Sequence, residues 1–296
     1  MVILEYNKNE KIFNGGGIPM KRIVTVQDIS CVGKCSLTVA LPVISAMGVE
    51  AAILPTAVLS THTMFSGFTV RDLTDEIEPI AAHWEKEGFA FDALYTGYLG
   101  SFEQIDLMKD FFDRFGGNGA VKFVDPAMGD GGKLYPAFDE AFAKKMGELC
   151  AKADITVPNI TEACFMTGTP YLEKYDRAYV EDLLKKLTDM GAKIALLTGV
   201  GFKEGETGVM GYEQATGEFF YYSHAKHPIS YHGTGDIFSS TCIGAMMRGF
   251  DWKKAATIAA DYTAKCIELT IEDKKGPWYG VNFEQAIPML LELLNK

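Results

Sequence analysis

Strands and helices alternate along this chain, glycine-rich segments stand where the strands end, and no Pro-rich or low-complexity linker interrupts the alternation. These three observations predict an α/β fold, a mostly parallel central sheet covered by helices on both faces. The 296 residues read as one domain over residues 20–296. Residues 1–19 form an extension that ends in Gly15-Gly16-Gly17-Ile18-Pro19 and is expected to be disordered and dispensable. A chain of this length buries roughly three-quarters of its unfolded surface, so it needs neither disulfides nor a structural metal for stability.

The first predicted strand is the apolar run Ile23–Gln27. A helix is predicted over Cys35–Met47, ended by Gly48, because glycine reaches the left-handed conformation that closes helices. Val49–Leu59 reads as strand. Asp72–Glu87 carries the amphipathic period of a helix and ends at Gly88. Ala93–Thr96 and Val121–Val124 are short predicted strands on either side of a predicted helix, Phe102–Phe115, closed by Gly116-Gly117. A helix over Phe138–Cys150, a strand over Ile155–Val157, a short helix over Ile160–Met166 and a helix over Tyr179–Met190 follow. Lys193–Leu197 is a predicted strand running into Thr198-Gly199. Val209–Tyr212 and Glu218–Ser223, with Thr216-Gly217 between them, predict a hairpin. The remaining predicted helices are Asp236–Met247, Lys253–Leu269 and Phe283–Leu294.

Composition narrows the function. Lys and Arg number 28 against 39 Asp and Glu, a net charge of −11, which argues against a general nucleic-acid binder. A small phosphorylated ligand held by backbone N–H groups stays compatible with that charge. No apolar run approaches the roughly 18–20 residues of a membrane span, and Met1–Tyr6 has neither the basic start nor the apolar stretch of a secretory signal. Six cysteines are too few for a disulfide scaffold, so a reducing cytoplasm is the expected compartment.

In open parallel sheets ligands bind beyond the carboxyl ends of the strands. Four segments there carry chemistry. His232-Gly233-Thr234-Gly235-Asp236 precedes a long predicted helix. Its glycines let backbone N–H groups converge on an anion, and a carboxylate beside them could take a proton from an attacking hydroxyl. The same residues also read as a plain helix start capped by Thr234 or Asp236. Asn159 and Glu162, three apart, are oxygen ligands suited to Mg²⁺, and equally a capping box. Asp125 opens the glycine-rich Asp125–Gly132 loop, which could hold metal-bound water or be a solvated turn. Thr198-Gly199-Val200-Gly201 offers a hydroxyl and free N–H groups to a phosphate. Together the four supply what phosphoryl transfer requires: positioning, charge neutralisation by Mg²⁺, and a base.

Rival signatures fail. Gly33-Lys34-Cys35 resembles part of a P-loop, but Asp28 stands where its first glycine belongs and Cys35 where Ser or Thr belongs. No Gly-x-Gly-x-x-Gly follows the first strand, and Cys31 and Cys35 have no second ligand pair for zinc.

The constellation resembles the ribokinase superfamily, from about Lys21 to the last helix. Gly233-Thr234-Gly235-Asp236 is similar to its anion-hole and base motif, and Asn159 to Glu162 to its magnesium-linked Asn-x-x-Glu. Within the superfamily the chain resembles the pyridoxal kinases. Gly97-Tyr98-Leu99-Gly100-Ser101 matches a segment of that family, Ser60-Thr61-His62-Thr63 resembles its Ser-Asn-His-Thr, and Asp125-Pro126-Ala127-Met128-Gly129 its Asp-Pro-Val-Met-Gly.

The resemblance implies a ribokinase-like three-layer α/β/α sandwich with a small flap near residues 59–70, commonly a homodimer. It implies transfer of the ATP γ-phosphoryl group to the 5′-hydroxymethyl group of pyridoxal, pyridoxine or pyridoxamine, with Mg²⁺. Asp236 would be the base, and the N–H groups of Gly233, Thr234 and Gly235 would hold the migrating charge. Asp125, Asn159 and Glu162 would serve Mg²⁺, directly or through water. Val157, Thr198 and Gly199, with Asp125 and Glu162, would lie along ATP. Asp28, Thr63, Met64 and Tyr98 would line the acceptor pocket, where Tyr98 could stack on a flat ring. His62 either touches the acceptor or braces the flap. Asp28 stands where many pyridoxal kinases carry Ser and hydroxymethylpyrimidine kinases carry Asp, so a pyrimidine acceptor stays open. A sugar kinase, or a vitamer-binding protein without activity, are the more distant alternatives.

Overall fold

The computed structural model describes residues 20–117, 119–229 and 231–295, and the reading of residues 1–19 as a disordered extension lies outside them. In the described residues the strands are β1 (Arg22–Val32), β2 (Glu50–Thr61), β3 (Val70–Asp72), β4 (Ala93–Thr96), β5 (Val121–Val124), β6 (Gly129–Asp130), β7 (Lys133–Leu134), β8 (Ile155–Thr156), β9 (Ile194–Thr198), β10 (Glu206–Glu213) and β11 (Glu218–Ala225). The helices are α1 (Leu37–Ala46), α2 (Thr74–Glu87), α3 (Phe102–Phe115), α4 (Glu140–Cys150), α5 (Ile160–Thr167), α6 (Arg177–Asp189), α7 (Thr234–Met247), α8 (Trp252–Glu272) and α9 (Phe283–Leu293).

A nine-stranded sheet in the order β11-β10-β9-β8-β5-β4-β1-β2-β3 forms the middle layer. Its six central strands are parallel; β3 at one edge and β10 at the other run against them, and β11 pairs antiparallel with β10. All four residues of β4 are buried, as both faces of a covered parallel sheet require. One hydrophobic cluster joins α2 to α6 on one face, through residues such as Ile77, Phe111, Met146 and Leu183. A second joins α1 and α7 to α9 on the other, through Val43, Ile243, Ala259 and Leu290. The fold is the predicted α/β/α sandwich.

The structure extends several predicted elements. β1 runs five residues past Gln27 and β2 reaches Thr61, and the two overhang the rest of the sheet. Between Gln27 and Ile29 the register with β2 shifts, three steps of β2 (Pro55 to Val58) matching two of β1, so a bulge falls in β2 opposite Asp28 as the overhang begins. β3 was not predicted, because its three residues are all exposed and show no apolar alternation. It pairs with β2 through Leu59 and Val70, and residues 62–69 form the turn of a hairpin flap. A second unpredicted hairpin, β6–β7, lies in the loop after Asp125. No helix among the described residues is long and apolar enough to cross a membrane.

Candidate active site

A cavity of about 590 Å³ opens at the carboxyl ends of the parallel strands. Every residue singled out from the sequence lines it: Asp28, His62, Thr63, Met64, Tyr98, Asp125, Val157, Asn159, Glu162, Thr198, Gly199 and Gly233 to Asp236. They arrive in groups from several different strand exits, so the sheet, not local spacing, brings the groups together.

The floor is the start of α7. Gly233 is its N-cap, with φ 84° and ψ 0°, and a β-carbon there would lie 1.9 Å from the carbonyl oxygen of Lys34. Only glycine meets both conditions. Five other helices, α3, α4, α5, α6 and α8, begin with a side chain that accepts from their first turn. At α7 no described side chain does so. The Thr234 hydroxyl donates to the carbonyl of Tyr231 at 3.1 Å, within the turn. The simple-cap reading of Thr234 and Asp236 is therefore not what the structure shows. Gly233, Thr234 and Gly235 line the cavity, and among the described residues no side chain caps the first turn there, where the positive helix end favours an anion.

Asp28, Asp125, Asp130, Glu162 and Asp236 line the same cavity, and no described Lys or Arg does. Burial lifts Asp125 to about 6, against a hydrogen bond from Ser239 Oγ at 2.7 Å that favours the carboxylate. Burial and the nearby Asp125 push Glu162 well above its usual range. Burial, then Asp125, raises the half-buried Asp236 to about 8. Asn159 and Glu162 do form a capping box: Asn159 Oδ1 accepts from Glu162 N at 3.0 Å, and Glu162 Oε2 accepts from Asn159 N at 2.8 Å. They also reach across the cavity edge. Glu162 Oε1 accepts from Met128 N at 3.0 Å, and Asn159 Nδ2 donates to the Gly129 carbonyl at 2.7 Å. The pair thus moors the loop after β5 to α5 while leaving carboxylate lone pairs toward the cavity.

On β1, at the register shift with β2, Asp28 is 5% exposed and accepts from Ser30 Oγ at 3.1 Å. Burial raises its carboxyl above the usual range. Half-buried Tyr98 leans on Phe138, ring centroids 5.5 Å apart, and keeps its other face for the cavity. Both nitrogens of His62 are engaged. Nδ1 accepts from Met64 N at 3.2 Å, and Nε2 lies 2.9 Å from the Tyr279 carbonyl. A carbonyl only accepts, so Nε2 is the donor to Tyr279 in this arrangement and Nδ1 the acceptor. The structure thus shows His62 bracing the flap against residues 278–280, with Phe65 and Trp278 packed beside it at 4.6 Å. Thr63 and Met64 are exposed on the flap turn at the cavity mouth.

Several lining residues escaped the sequence reading. Ser239 braces Asp125 from 114 residues away, a pairing no local pattern announces. Ala260, Thr263 and Ile267 line the far wall from α8, beside Thr207 and Gly208 of β10. Their i, i+3, i+7 spacing was visible, but it reads equally as a core stripe.

Two predictions follow from this geometry. Gly233→Ala should destabilise the protein by more than about 2 kcal/mol, from the strained φ and the Lys34 overlap, measurable by denaturant unfolding. A raised carboxyl pKa binds a proton that the unfolded chain has already lost, so between about pH 4 and 8 Asp236 makes the ligand-free protein less stable as pH rises. Asp236→Asn should therefore raise the melting temperature at pH 8 by about 2–4 °C, with a smaller effect at pH 5. An equal effect at both pH values would show that Asp236 is not held protonated.

Residues 39–279 match the family described as phosphomethylpyrimidine kinase. A candidate phosphomethylpyrimidine kinase from Bacteroides thetaiotaomicron, crystallised in an orthorhombic form with pyridoxal, is 36% identical, with a TM-score of 0.87, covering 92% of this chain and 96% of its own. The pyridoxal kinase of Lactobacillus plantarum is 31% identical, with a TM-score of 0.84, covering 92% and 97%. The hydroxymethylpyrimidine/phosphomethylpyrimidine kinase of Bacillus subtilis is 25% identical over 263 residues, 87% of each chain. The chain belongs to the phosphomethylpyrimidine kinase family and shares the ribokinase-like fold of its pyridoxal kinase neighbours.

Proposed function

We propose that residues 20–296 act as one kinase domain that transfers the γ-phosphoryl group of ATP to the 5′-hydroxymethyl group of pyridoxal, pyridoxine or pyridoxamine. The observation that carries this reading is the uncapped start of α7, which sets free N–H groups and Asp236 in one cavity with Tyr98 and the flap. The likeness to the Lactobacillus plantarum pyridoxal kinase, and to the Bacteroides structure with pyridoxal, supports a B6 acceptor.

In this reading the acceptor ring lies against Tyr98, between Asp28 and the flap residues Thr63 and Met64, with its hydroxymethyl group at Asp236. The acceptor oxygen attacks the γ-phosphorus as its proton passes to the Asp236 carboxylate. The bond to the β-phosphate oxygen breaks and ADP leaves. A carboxyl raised to about 8 is a stronger base than an ordinary Asp, and its tuning lies near working pH. The N–H groups of Gly233, Thr234 and Gly235 receive the charge that develops on the equatorial oxygens. Val157, Thr198 and Gly199 flank the nucleotide.

A cavity lined by carboxylates without a described Lys or Arg calls for a cation beside the polyphosphate. No three described His, Cys, Asp or Glu side chains could hold an ion unaided. That fits Mg²⁺, which takes one or two carboxylates and keeps water and phosphate for the rest. Asp125, Asn159 and Glu162 would hold it, the last two through water because their hydrogen bonds already moor the loop. When bound, it would neutralise phosphate charge. We further infer a homodimer in a reducing cytoplasm; the six cysteines, all free thiols, support that compartment, and β3 leaves a sheet edge available for pairing.

Asp28 favours one second reading, a hydroxymethylpyrimidine acceptor, which the Bacillus subtilis relative also supports. A panel of the three B6 vitamers, hydroxymethylpyrimidine, its phosphate and ribose, with ATP and Mg²⁺, separates these readings by kcat/KM. The B6 vitamers are expected to lead; preference for the pyrimidine would replace them. Asp236→Asn should lower turnover by about 10²–10⁴ with ATP affinity by calorimetry unchanged, and undiminished turnover would remove Asp236 as the base.

A further inference from the structure

The flap has little of its own to hold it in place. β3 is three residues long, all exposed, and pairs with β2 only over Ala57, Val58 and Leu59. A two-stranded hairpin of that size is marginal in water by itself. Ser60 and Thr69 close the base of its turn, Ser60 N donating to the Thr69 carbonyl at 3.0 Å and Thr69 N to Ser60 Oγ at 2.9 Å. Beyond them the turn carries Thr63 and Met64 to the cavity mouth. Yet His62, in this turn, is only 1% exposed.

What covers it comes from residues 276–280, between α8 and α9. His62 Nε2 donates to the Tyr279 carbonyl at 2.9 Å, 217 residues along the chain. Phe65 packs against Trp278 and Tyr279, with ring centroids 4.6 and 5.7 Å apart. His62 meets Trp278 edge-on at 6.3 Å and lies 4.6 Å from His232, the residue before the Gly233 turn. This segment is anchored from below. Gly276 N donates to the Asp273 carbonyl at 3.0 Å, Asn282 N to Thr270 Oγ1 at 2.8 Å, and Asn282 Nδ2 to Asp273 Oδ2 at 3.1 Å. A β-carbon on Gly280 would lie 2.4 Å from Lys34 Cβ, and the Lys34 carbonyl also lies against Gly233. The segment over the flap and the start of α7 therefore share one anchor. Trp278 stands on top of this base. It is 61% exposed, belongs to neither hydrophobic cluster and does not line the cavity. Among the described residues its ring contacts are with His62 and Phe65 of the flap and with its neighbour Tyr279. A large exposed indole with those partners is explained by its hold on the flap.

We propose that residues 278–279 are the latch of the flap, and that Trp278 is a positioning residue whose indole, packed on Phe65, keeps Thr63 and Met64 at the acceptor side of the cavity mouth. The effect on the acceptor rests on the proposed function; the latch itself does not. Because the latch and the Gly233 turn are both set on Lys34, the flap is held at a fixed place relative to the start of α7.

Trp278→Ala tests the latch at an exposed position that the fold tolerates, with a melting temperature expected within about 2 °C of the parent. In the ligand-free protein, amide hydrogen exchange across residues 62–69 is expected to speed up about three- to tenfold, the worth of one aromatic pair, and to stay at the parental rate in α1 and α7. With the acceptor that leads the panel, KM is expected to rise by about the same factor, while kcat and the ATP KM stay within about twofold. Trp278→Phe keeps a ring against Phe65 and should recover most of both losses, a rescue that a general loss of stability would not show. Parental exchange across residues 62–69 in Trp278→Ala would overturn the latch. Faster exchange with an unchanged acceptor KM would overturn Trp278 as a positioning residue. Faster exchange in a protein whose parent phosphorylates no acceptor of the panel supports the latch and overturns the proposed function instead, so the two failures are told apart. If Trp278→Ala fails to fold, the same two readings on Phe65→Leu, at the other side of the contact, decide the matter.

Discussion

The carbonyl oxygen of Lys34 occupies the space that a β-carbon on residue 233 would fill, and the site depends on that close pass. It demands glycine at 233, and the left-handed turn there starts α7 without a side-chain cap. An uncapped helix start is ordinarily a defect, because orphan N–H groups need acceptors. Here Gly233, Thr234 and Gly235 line a cavity, and in the proposed function they would receive phosphate oxygens. The same contact presses the segment before α1 against the start of α7, both of which line the cavity.

The second organising feature is an excess of like charge. Asp125, Glu162 and Asp236 line one cavity with no described Lys or Arg among them, and each is lifted above its ordinary range by burial before any neighbour acts. The arrangement opposes folding stability at neutral pH and is relieved by a cation and by proton uptake. A protein optimised only to fold would not keep it, which is why the proposed function puts the chemistry at these groups. Hydrogen bonds offset part of the cost: Ser239 supports Asp125, and backbone N–H groups support Glu162.

Legibility differed from element to element. The parallel strands were readable because a covered sheet makes its strands near-continuous apolar runs, as in Ala93–Thr96. The flap strand Val70–Asp72 was not, since three exposed residues carry no alternation and exist as strand only through pairing with Leu59. The Gly233–Asp236 turn was readable as a motif, yet that Thr234 does not cap the helix was decided by where its hydroxyl points. His62 carried two readings until both ring nitrogens were seen engaged by backbone groups.

By itself the sequence determined the layered α/β architecture, the strand exits at which chemistry could stand, and the residue types gathered there. Those properties are written in local periodicity and in glycine placement, which act over a few residues. Tertiary structure alone decided the partners: Ser239 against Asp125, the Lys34 carbonyl against Gly233, and the α8 wall beside β10. These contacts join segments tens to hundreds of residues apart, and no short-range pattern encodes a meeting that only the closing of the sheet and its two helical layers brings about.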